Sequence, residues 1–400
     1  MPMFESLIAP RPDKILSLSG LYRADVREQK IDLGIGVYRD PSGNTPIFAA
    51  VREAEKRLFE TESTKTYVDP AGDPGFNDAV ARLVLGDTAP WDRVRTVQTP
   101  GGGGALTILA GLIEKSNPSC TVWLPDPTWI NHQSIFESAR LATREYAYFD
   151  RKSGRVDFDA LIAGLRGAKA GDVVLLHGCC HNPTGAELSQ DQWRILGQSM
   201  LATGVIPLVD LAYQGFGDGL DDDAFSARHL ARTMPELMIA ASCSKNFGIY
   251  RERTGAAMLI AETPERADVG RAHLALKARI NYSMPPDHGA SCVRIILGDE
   301  GLRRNWQAEL EAMRSVIEAT RRELASRFRA RLNTDSYDYL AENKGMFSLL
   351  GISPNGVARL RKQFGVYIVE DGRFNVAGLR ECDIDRFVDC VALCTDDPVP

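Results

Sequence analysis

The sequence predicts an α/β fold built around a mostly parallel sheet, and three features lead to that prediction. Short runs rich in β-branched residues recur in the middle of the chain and alternate with stretches of helical periodicity. These runs, at 173–176, 205–209 and 237–241, are apolar throughout, which is typical of strands covered on both faces. Reactive residues follow each run. Because ligands bind at the carboxyl ends of strands in such sheets, we expect the functional site at that edge.

Chain length predicts more than one domain. Four hundred residues exceed one ordinary hydrophobic core, while 44% hydrophobic and 25% charged residues are normal for a globular protein. We expect a large domain at 46–310. A smaller α+β domain is expected from both chain ends, 1–45 together with 311–400.

Charge and composition exclude several classes of function. The chain has 47 Lys and Arg residues against 53 Asp and Glu residues, so it lacks the basic surface of a nucleic-acid binder. No apolar run approaches the roughly 18 residues of a membrane span, and the first 13 residues do not resemble a signal peptide. Eight scattered cysteines form no C-x-x-C pair. We therefore expect a cytoplasmic protein with reduced thiols and with no membrane or nucleic-acid partner.

The first elements predicted are a glycine-containing segment at 31–38 and an amphipathic helix at 47–60. Gly34 and Gly36 do not continue into a dinucleotide-binding G-x-G-x-x-G fingerprint, because Arg39 takes the place of the third glycine. The helix follows from apolar residues at helical spacing, including Val51, Ala54 and Leu58. A polar loop that contains Tyr67 comes next.

A run of four glycines at 101–104 leads directly into an apolar helix predicted at 105–113. The free N–H groups at a helix N-terminus bind anions, and glycines allow a phosphate to approach the backbone closely. The run therefore indicates a phosphate site, although glycine runs also form ordinary loops.

One long helix is predicted at about 302–332, since Trp306, Leu310, Met313 and Ile317 follow a 3.6-residue period. Such a helix suits a connection between two domains. The segments 345–348, 366–370 and 373–378 that follow it are typical of a small α+β domain, with which the first 45 residues are expected to pack.

The segment 241–255 carries the strongest indication of chemistry. Lys245 follows a buried strand, where burial and neighbouring cations lower the pKa of an amine and make it nucleophilic. Arg253, Ser242 and Ser244 supply donors suited to a phosphate. A nucleophilic lysine beside phosphate donors indicates pyridoxal 5′-phosphate. Taken alone, the segment is equally compatible with a solvated lysine and arginine on a loop.

Several separated motifs, in this order along the chain, resemble the aspartate and aromatic-amino-acid aminotransferases of pyridoxal-phosphate fold type I. The motifs are Asn182-Pro-Thr-Gly, Asp210-x-x-Tyr213, Ser242-x-Ser-Lys245, Arg253 and Gly372-Arg373-x-Asn-Val-Ala-Gly378. The resemblance covers nearly the whole chain, from Asp32-Leu-Gly-Ile-Gly-Val-Tyr to the last of them. It implies a transaminase that exchanges amino groups between amino acids and 2-oxo acids, and a homodimer with shared active sites.

The resemblance also implies roles at the cofactor. Lys245 would hold it as a Schiff base and transfer a proton, and Asp210 would pair with the ring nitrogen. Tyr213 and Asn182 would bond the phenolic oxygen, while Trp129 would stack on the ring with His132 supporting Asp210. The phosphate would be bound by residues of three segments and by one residue of the partner subunit, namely Gly102, Gly103, Ser242, Ser244, Arg253 and, across the dimer, Tyr67.

The substrate is implied to lie between two arginines. Arg373 would bind the α-carboxylate with help from Asn182, Trp129 and the Gly36 backbone, and Arg279 would reach across the dimer to a side-chain carboxylate. The sequence departs from the family at Gly103, where relatives commonly have threonine or serine. Gly103 and Met284 favour a wide, apolar mouth, whereas Arg39 and Thr45 resemble the aspartate-type pattern.

Several alternatives remain open at this stage. We expect an enzyme for phenylalanine, tyrosine, tryptophan and aspartate with 2-oxoglutarate as acceptor, and the alternative is a dedicated aspartate aminotransferase. A β-lyase, a decarboxylase or a cofactor-binding regulator on the same fold is disfavoured by the two arginines and by the lack of a basic N-terminal module. No metal site is expected in His177-Gly-Cys-Cys-His181, because adjacent cysteines do not easily turn toward one ion.

Overall fold

The computed structural model of the protein describes residues 3–5, 7–9 and 13–395. The few residues outside this part all belong to the expected small domain. The helices are α1 (Lys14–Ala24), α2 (Ala49–Thr61), α3 (Pro74–Leu85), α4 (Gly101–Ser116), α5 (Asn131–Ser138), α6 (Phe158–Gly164), α7 (Gln190–Thr203), α8 (Phe225–Thr233), α9 (Pro264–Asn281), α10 (His288–Gly298), α11 (Glu300–Leu332), α12 (Tyr339–Glu342), α13 (Pro354–Arg359) and α14 (Ile384–Ala392). The strands are β1 (Ile31–Asp32), β2 (Val94–Pro100), β3 (Thr121–Asp126), β4 (Ala142–Ala147), β5 (Phe149–Asp150), β6 (Arg155–Val156), β7 (Val173–His177), β8 (Ile206–Leu211), β9 (Leu237–Ser242), β10 (Thr254–Ile260), β11 (Phe347–Leu349), β12 (Val366–Tyr367) and β13 (Arg373–Asn375).

A seven-stranded sheet forms the centre of the molecule, in the order β2-β10-β9-β8-β7-β3-β4. Strand β10 runs antiparallel to both of its neighbours, and the other pairings are parallel. The predicted α/β class with a mostly parallel sheet is therefore confirmed. Strands β7, β8 and β9 contain the three apolar runs from which it was predicted.

Helices cover both faces of the central strands of this sheet, which explains why β7, β8 and β9 are almost entirely apolar. Along β7, Val173 and Leu175 belong to one hydrophobic cluster, whereas Val174 and Leu176 belong to the other. Successive side chains of a strand point to opposite faces, so each face needs its own apolar residues. The edge strand β4 differs, because most of its residues are exposed. The covered central strands fix their carboxyl ends relative to one another.

Two helices begin earlier than the sequence predicted. Helix α11 starts at Glu300, where the side chain of Asp299 accepts a hydrogen bond from the Leu302 N–H, and it ends at a left-handed Asn333 with φ 52°. Helix α4 starts at Gly101, so the glycine run forms its first turn rather than a loop before it. This corrects the predicted boundary at residue 105 and places the glycine N–H groups at the helix terminus itself.

Two small strand pairs join distant parts of the chain. Strand β1 pairs in parallel with β12, and β11 pairs antiparallel with β13. The first pairing brings residues near the N-terminus against the last quarter of the chain, as expected for a small domain made from both ends. The division at residues 45 and 310 stays a prediction. None of the helices in the described part is long and apolar enough to span a membrane.

Candidate active site

A cavity of about 300 Å³ opens at the carboxyl edge of the central sheet. The residues that follow β2, β3, β7, β8 and β9 meet there, as expected for a parallel sheet. Its lining contains most of the cofactor residues expected from the sequence and several residues that were not expected. The complete lining is Gly36, Gly102, Gly103, Leu106, Trp129, His177, Asn182, Asp210, Ala212, Tyr213, Ser242, Ser244, Lys245, Tyr250 and Arg253.

Lys245 lies in this cavity three residues after the end of β9. Its Nζ atom is 4.9 Å from the centroid of the Tyr213 ring. Burial lowers the pKa of the Lys245 amine to about 8. The charge of Asp210 raises this pKa, and the charge of Arg253 lowers it. A larger share of this amine is therefore neutral near neutral pH than in an exposed lysine, as a nucleophile requires.

Asp210 is the acidic group of the cavity and is held by a buried hydrogen-bonded chain. Because a carboxylate only accepts, His132 Nε2–H donates to Asp210 Oδ2 over 3.0 Å. Thr128 Oγ1 then lies 2.8 Å from His132 Nδ1 and 3.0 Å from His177 Nε2. Burial alone would raise the pKa of Asp210, but the hydrogen bond and charge of His132 outweigh it and hold that pKa below its usual value. Asp210 is thus kept ionised opposite any cationic ring nitrogen.

The opposite end of the cavity is suited to a dianionic phosphate. The first turn of α4 presents backbone N–H groups there, and a Cβ atom on Gly102 would come within 3.2 Å of Ser242 Cβ. Ser242 Oγ donates to Ser244 Oγ, and Arg253 Nη1 donates to Ser244 Oγ over 3.4 Å. Arg253 has a left-handed backbone, with φ 54°. Such conformations cost roughly 1–2 kcal/mol outside glycine and often occur at functional sites.

Arg373, at the start of β13, lies next to the cavity, where it contacts the lining residue Asn182. Its Nη2 donates to the Gly34 carbonyl over 2.7 Å, and its Nη1 lies 3.4 Å from Asn182 Oδ1. Its guanidinium carbon is 4.6 Å from the centroid of the Phe347 ring. The buried Nε has no hydrogen-bond partner in the described part of the chain. An unpaired donor on a buried arginine is suited to a carboxylate that arrives with the substrate.

Three of the expected site residues are not in the cavity lining: Arg373, which lies next to it, and Tyr67 and Arg279, which lie farther out. Tyr67 is 90% exposed, and Arg279 is exposed at the end of α9, where it donates to Ser283 Oγ. Both had been assigned to the neighbouring subunit's site, so a single chain is not expected to bring them in. Their roles stay predictions.

Tyr250 and Phe347 contribute to the site but were not singled out from the sequence. The Tyr250 hydroxyl, in the cavity lining, accepts a hydrogen bond from the Tyr38 N–H over 3.1 Å. Phe347 packs edge-on against Tyr213, with centroids 6.0 Å apart. Tyr250 lies five residues after Lys245, and that proximity is the only sequence signal for either residue.

The adjacent cysteines do turn toward one side, contrary to the reason given for excluding a metal. Cys180 has φ 49°, and ligand atoms of Cys179, Cys180 and Asp223 lie within 4.8 Å of one another. Asp223, however, already accepts hydrogen bonds from the N–H groups of Gly215, Gly217 and Asp218. Burial also raises the pKa of the Cys179 thiol to about 12, which disfavours the thiolate that a metal needs. We therefore assign no metal to this cluster.

The donor set of the cavity fits pyridoxal phosphate. A buried amine, a carboxylate kept ionised and a phosphate-binding helix terminus are placed around one space, with Trp129 on its wall. A Cβ atom on Gly103 would approach nothing closer than 4.0 Å, the distance to Trp129 Cη2. The wall is therefore open where a hydroxyl-bearing side chain was expected from the resemblance.

Comparison with known proteins agrees with this geometry. The family model "Aminotransferase class I and II" matches residues 28–391. The chain is 48% identical to the aromatic-amino-acid aminotransferase of Paracoccus denitrificans, over 95% of this chain and 96% of that protein. It is 45% identical to the aspartate aminotransferase of Escherichia coli K12, over 94% and 96% of the two chains.

The solved structures give the same result. An aromatic-amino-acid aminotransferase from Burkholderia pseudomallei, covalently bound to pyridoxal phosphate, superimposes with a TM-score of 0.96 and 36% identity. The superposition covers 99% of this chain and 100% of that one. With the fold, the cavity and the sequence in agreement over nearly its whole length, this chain belongs to the class I and II aminotransferases and is a pyridoxal-phosphate-dependent transaminase.

Proposed function

We propose that this enzyme exchanges the amino group between aromatic amino acids or aspartate and 2-oxoglutarate. The observation that carries the aromatic part is the open wall at Gly103, which leaves space beside Trp129. An aromatic side chain buries about 150–250 Å² when fully enclosed, and burial stabilises by about 25 cal/mol per Å². Relatives named for aromatic amino acids and for aspartate are almost equally similar to the chain, which supports a dual range.

The substrate range is tested by measuring kcat/KM for phenylalanine, tyrosine and aspartate with 2-oxoglutarate as acceptor. We expect both aromatic donors to lie within about a hundredfold of aspartate or above it, a ratio equivalent to about 2.7 kcal/mol. A larger advantage for aspartate over both would contradict the proposal and favour a dedicated aspartate aminotransferase.

The proposed division of labour follows from the positions of the side chains. When bound, pyridoxal phosphate supplies an aldehyde that bonds to amines and a ring that withdraws electrons from the substrate Cα. Lys245 Nζ would hold the cofactor through that aldehyde and would carry the proton of the substrate Cα, and Asp210 would be the partner of the protonated ring nitrogen. Tyr213 and Asn182 hold the phenolic oxygen.

The remaining residues bind and orient. Gly102, Gly103, Ser242, Ser244 and Arg253 hold the phosphate, and Trp129 covers the ring. Arg373 orients the substrate α-carboxylate with Asn182 and the Gly36 backbone, which lies at the Cζ tip of the Phe347 ring. A fixed carboxylate presents the Cα–H bond to Lys245 in one direction, which is the main advantage of a positioned substrate.

The lowered pKa of Lys245 predicts how cofactor capture depends on pH. With a pKa of about 8, the neutral fraction of the amine rises about tenfold between pH 7 and pH 9 and then levels off. The rate at which the cofactor-free protein captures pyridoxal phosphate covalently should follow this curve in stopped-flow absorbance. A 4′-deoxy analogue, which has no aldehyde, controls for ionisation of the phosphate site. A rate that still rises tenfold per pH unit above pH 9 would indicate an unshifted lysine.

The open space at Gly103 predicts that a serine at this position strengthens cofactor binding. A serine there meets no obstacle, because the nearest atom to its Cβ is 4.0 Å away, and its hydroxyl can reach a phosphate at the start of α4. A hydrogen bond to a charged group contributes about 1.5–3 kcal/mol, so Gly103→Ser should bind the cofactor roughly tenfold or more tightly in equilibrium dialysis. Gly103→Ala is the matched control for helix propensity. Equal affinities of the two variants would show that the hydroxyl does not reach the phosphate.

We also propose that the functional unit is a homodimer in which Tyr67 and Arg279 complete the neighbour's site. Both are exposed on the single chain, as are Leu276 and Ile280 on helix α9 beside Arg279. Mixing Lys245→Ala subunits with Arg279→Ala subunits should restore activity toward dicarboxylates in one hybrid site per dimer. Demonstrated heterodimers that show no recovery would contradict shared sites. A cytoplasmic location is proposed because the eight cysteines are scattered along the chain without a C-x-x-C pair.

A further inference from the structure

Arg321, in the middle of helix α11, is a buried cation whose hydrogen bonds all go to neutral groups. It is only 2% exposed and donates six hydrogen bonds. Five acceptors in the segment 340–348 share them: the carbonyls of Leu340, Lys344, Gly345 and Phe347 and the hydroxyl of Ser348. The guanidinium therefore holds five points of one segment, which runs from α12 into β11 and is called the loop 340–348 below.

A charge in such surroundings is stable only while these bonds are intact. Burial lowers the pKa of Arg321 to about 10, so it remains charged at neutral pH. Removing a buried charge from water is costly, and hydrogen bonds to the charge offset that cost. Any movement of the loop 340–348 would leave donors unpaired, so we expect this loop to be held in one conformation.

The loop held by Arg321 contacts the arginine proposed to bind substrate. The centroid of the Phe347 ring lies 4.6 Å from the guanidinium carbon of Arg373. A Cβ atom on Gly36 would lie 2.5 Å from Cζ of the same ring. Strand β11, which begins at Phe347, pairs with β13 so that Leu349 lies opposite Arg373. Arg373 is thus supported by the loop through both its side chain and its backbone.

The same loop also fixes the segment that carries Asn182. Lys344 N–H donates to the Gly185 carbonyl over 2.8 Å. A Cβ atom on Gly185 would lie 2.6 Å from the Phe347 carbonyl oxygen and 3.1 Å from Arg321 Nη2, so the two segments are in close contact. Asn182, three residues earlier, is the partner of Arg373 Nη1.

We propose that Arg321 is a positioning residue for substrate carboxylate binding, which it achieves by fixing the loop 340–348 and, through Phe347, the orientation of Arg373. The inference rests on the role proposed above for Arg373. The phosphate donors Ser242, Ser244 and Arg253 bond to one another and to residues outside the loop 340–348, so cofactor affinity should fall much less than carboxylate binding, although Asn182 and Tyr213 lie near the loop.

The test compares Arg321→Lys, Arg321→Met and Phe347→Leu with Arg327→Met, a change at a half-exposed arginine of the same helix. Binding of 3-phenylpropionate, an unreactive monocarboxylate, is followed by cofactor absorbance, alongside cofactor affinity and KM and kcat for phenylalanine. We expect the Kd of 3-phenylpropionate and the KM to rise about tenfold or more in the first three variants. Cofactor affinity should fall by a much smaller factor than carboxylate binding, and Arg327→Met should match the wild type in both.

Folded Arg321→Lys and Phe347→Leu proteins with a wild-type Kd and KM would overturn the proposal, even if their thermal stability falls. Phe347→Leu keeps the Arg321 hydrogen bonds, so the question is still answered if Arg321→Met does not fold. Arg373→Lys separates the two levels of the argument. If that variant also binds 3-phenylpropionate normally, the role proposed for Arg373 itself is wrong.

Discussion

Replacing Lys245 with alanine is expected to lower kcat by at least a factor on the order of 10⁴, while the protein still folds and binds pyridoxal phosphate non-covalently. General acid–base catalysis by a positioned group contributes about 10²–10⁴, and covalent attachment of the cofactor is lost as well. Lys245 faces the cavity and makes no hydrogen bond that holds two elements together among those described, so folding should be unaffected.

The measurement is kcat with 2-oxoglutarate as acceptor, together with circular dichroism and cofactor content. Lys277→Ala is the matched control, because Lys277 lies outside the cavity and is paired with Glu114. A Lys245→Ala enzyme that keeps more than a tenth of the wild-type kcat would show that another base moves the proton.

Replacing Asp210 with asparagine should lower kcat by a factor on the order of 10²–10⁴. The side chain keeps its shape but loses the charge opposite the ring nitrogen, and removing one partner of a buried ion pair costs about 3–5 kcal/mol. The hydrogen bond from His132 can persist to the amide oxygen, so the change acts on charge rather than on packing.

Asp222→Asn, at an exposed acidic residue, is the matched control for Asp210→Asn. Cofactor affinity is a second readout, because the ion pair forms only with the cofactor bound and its loss should weaken binding. An Asp210→Asn enzyme with unchanged kcat and cofactor affinity would mean that the ring nitrogen is not paired with Asp210.

The central sheet could be predicted from the sequence because its signal is local. The runs at 173–176, 205–209 and 237–241 became β7, β8 and β9, each shifted or extended by only one or two residues. A strand buried on both faces is apolar at nearly every position, and such a run can be recognised in the sequence without knowing which strands lie beside it. Parallel pairing then places the residues that follow these strands at one edge.

Features that arise from contacts between distant segments could not be predicted. The left-handed backbones of Cys180 and Arg253 go against the usual preference of those residues, and the surrounding structure imposes them. The role of Phe347 depends on Gly36 and Arg373, which are far away in the chain, and that of Arg321 depends on five acceptors in one loop. As an isolated signal, an arginine in a long charged helix indicates a solvated surface.

The start of α4 shows how local chemistry can mislead. Glycine is about 1 kcal/mol less favourable than alanine in a helix interior, so the predicted helix was begun at residue 105, with the glycines before it as a phosphate site or an ordinary loop. The structure places them in the first turn of the helix, where Ser242 comes close to Gly102 and Arg253 to Gly101. Close packing and access to the backbone N–H groups outweigh the propensity there.

The account as a whole depends on Lys245 being the residue that binds the cofactor. Borohydride reduction of the holoenzyme followed by proteolysis and mass spectrometry tests this directly, since reduction makes the bond to the lysine permanent. We predict a single pyridoxyl-modified peptide, with the modification on Lys245. Stoichiometric modification of any other lysine would contradict the assignment and with it the roles derived for Asp210, Tyr213 and Arg373.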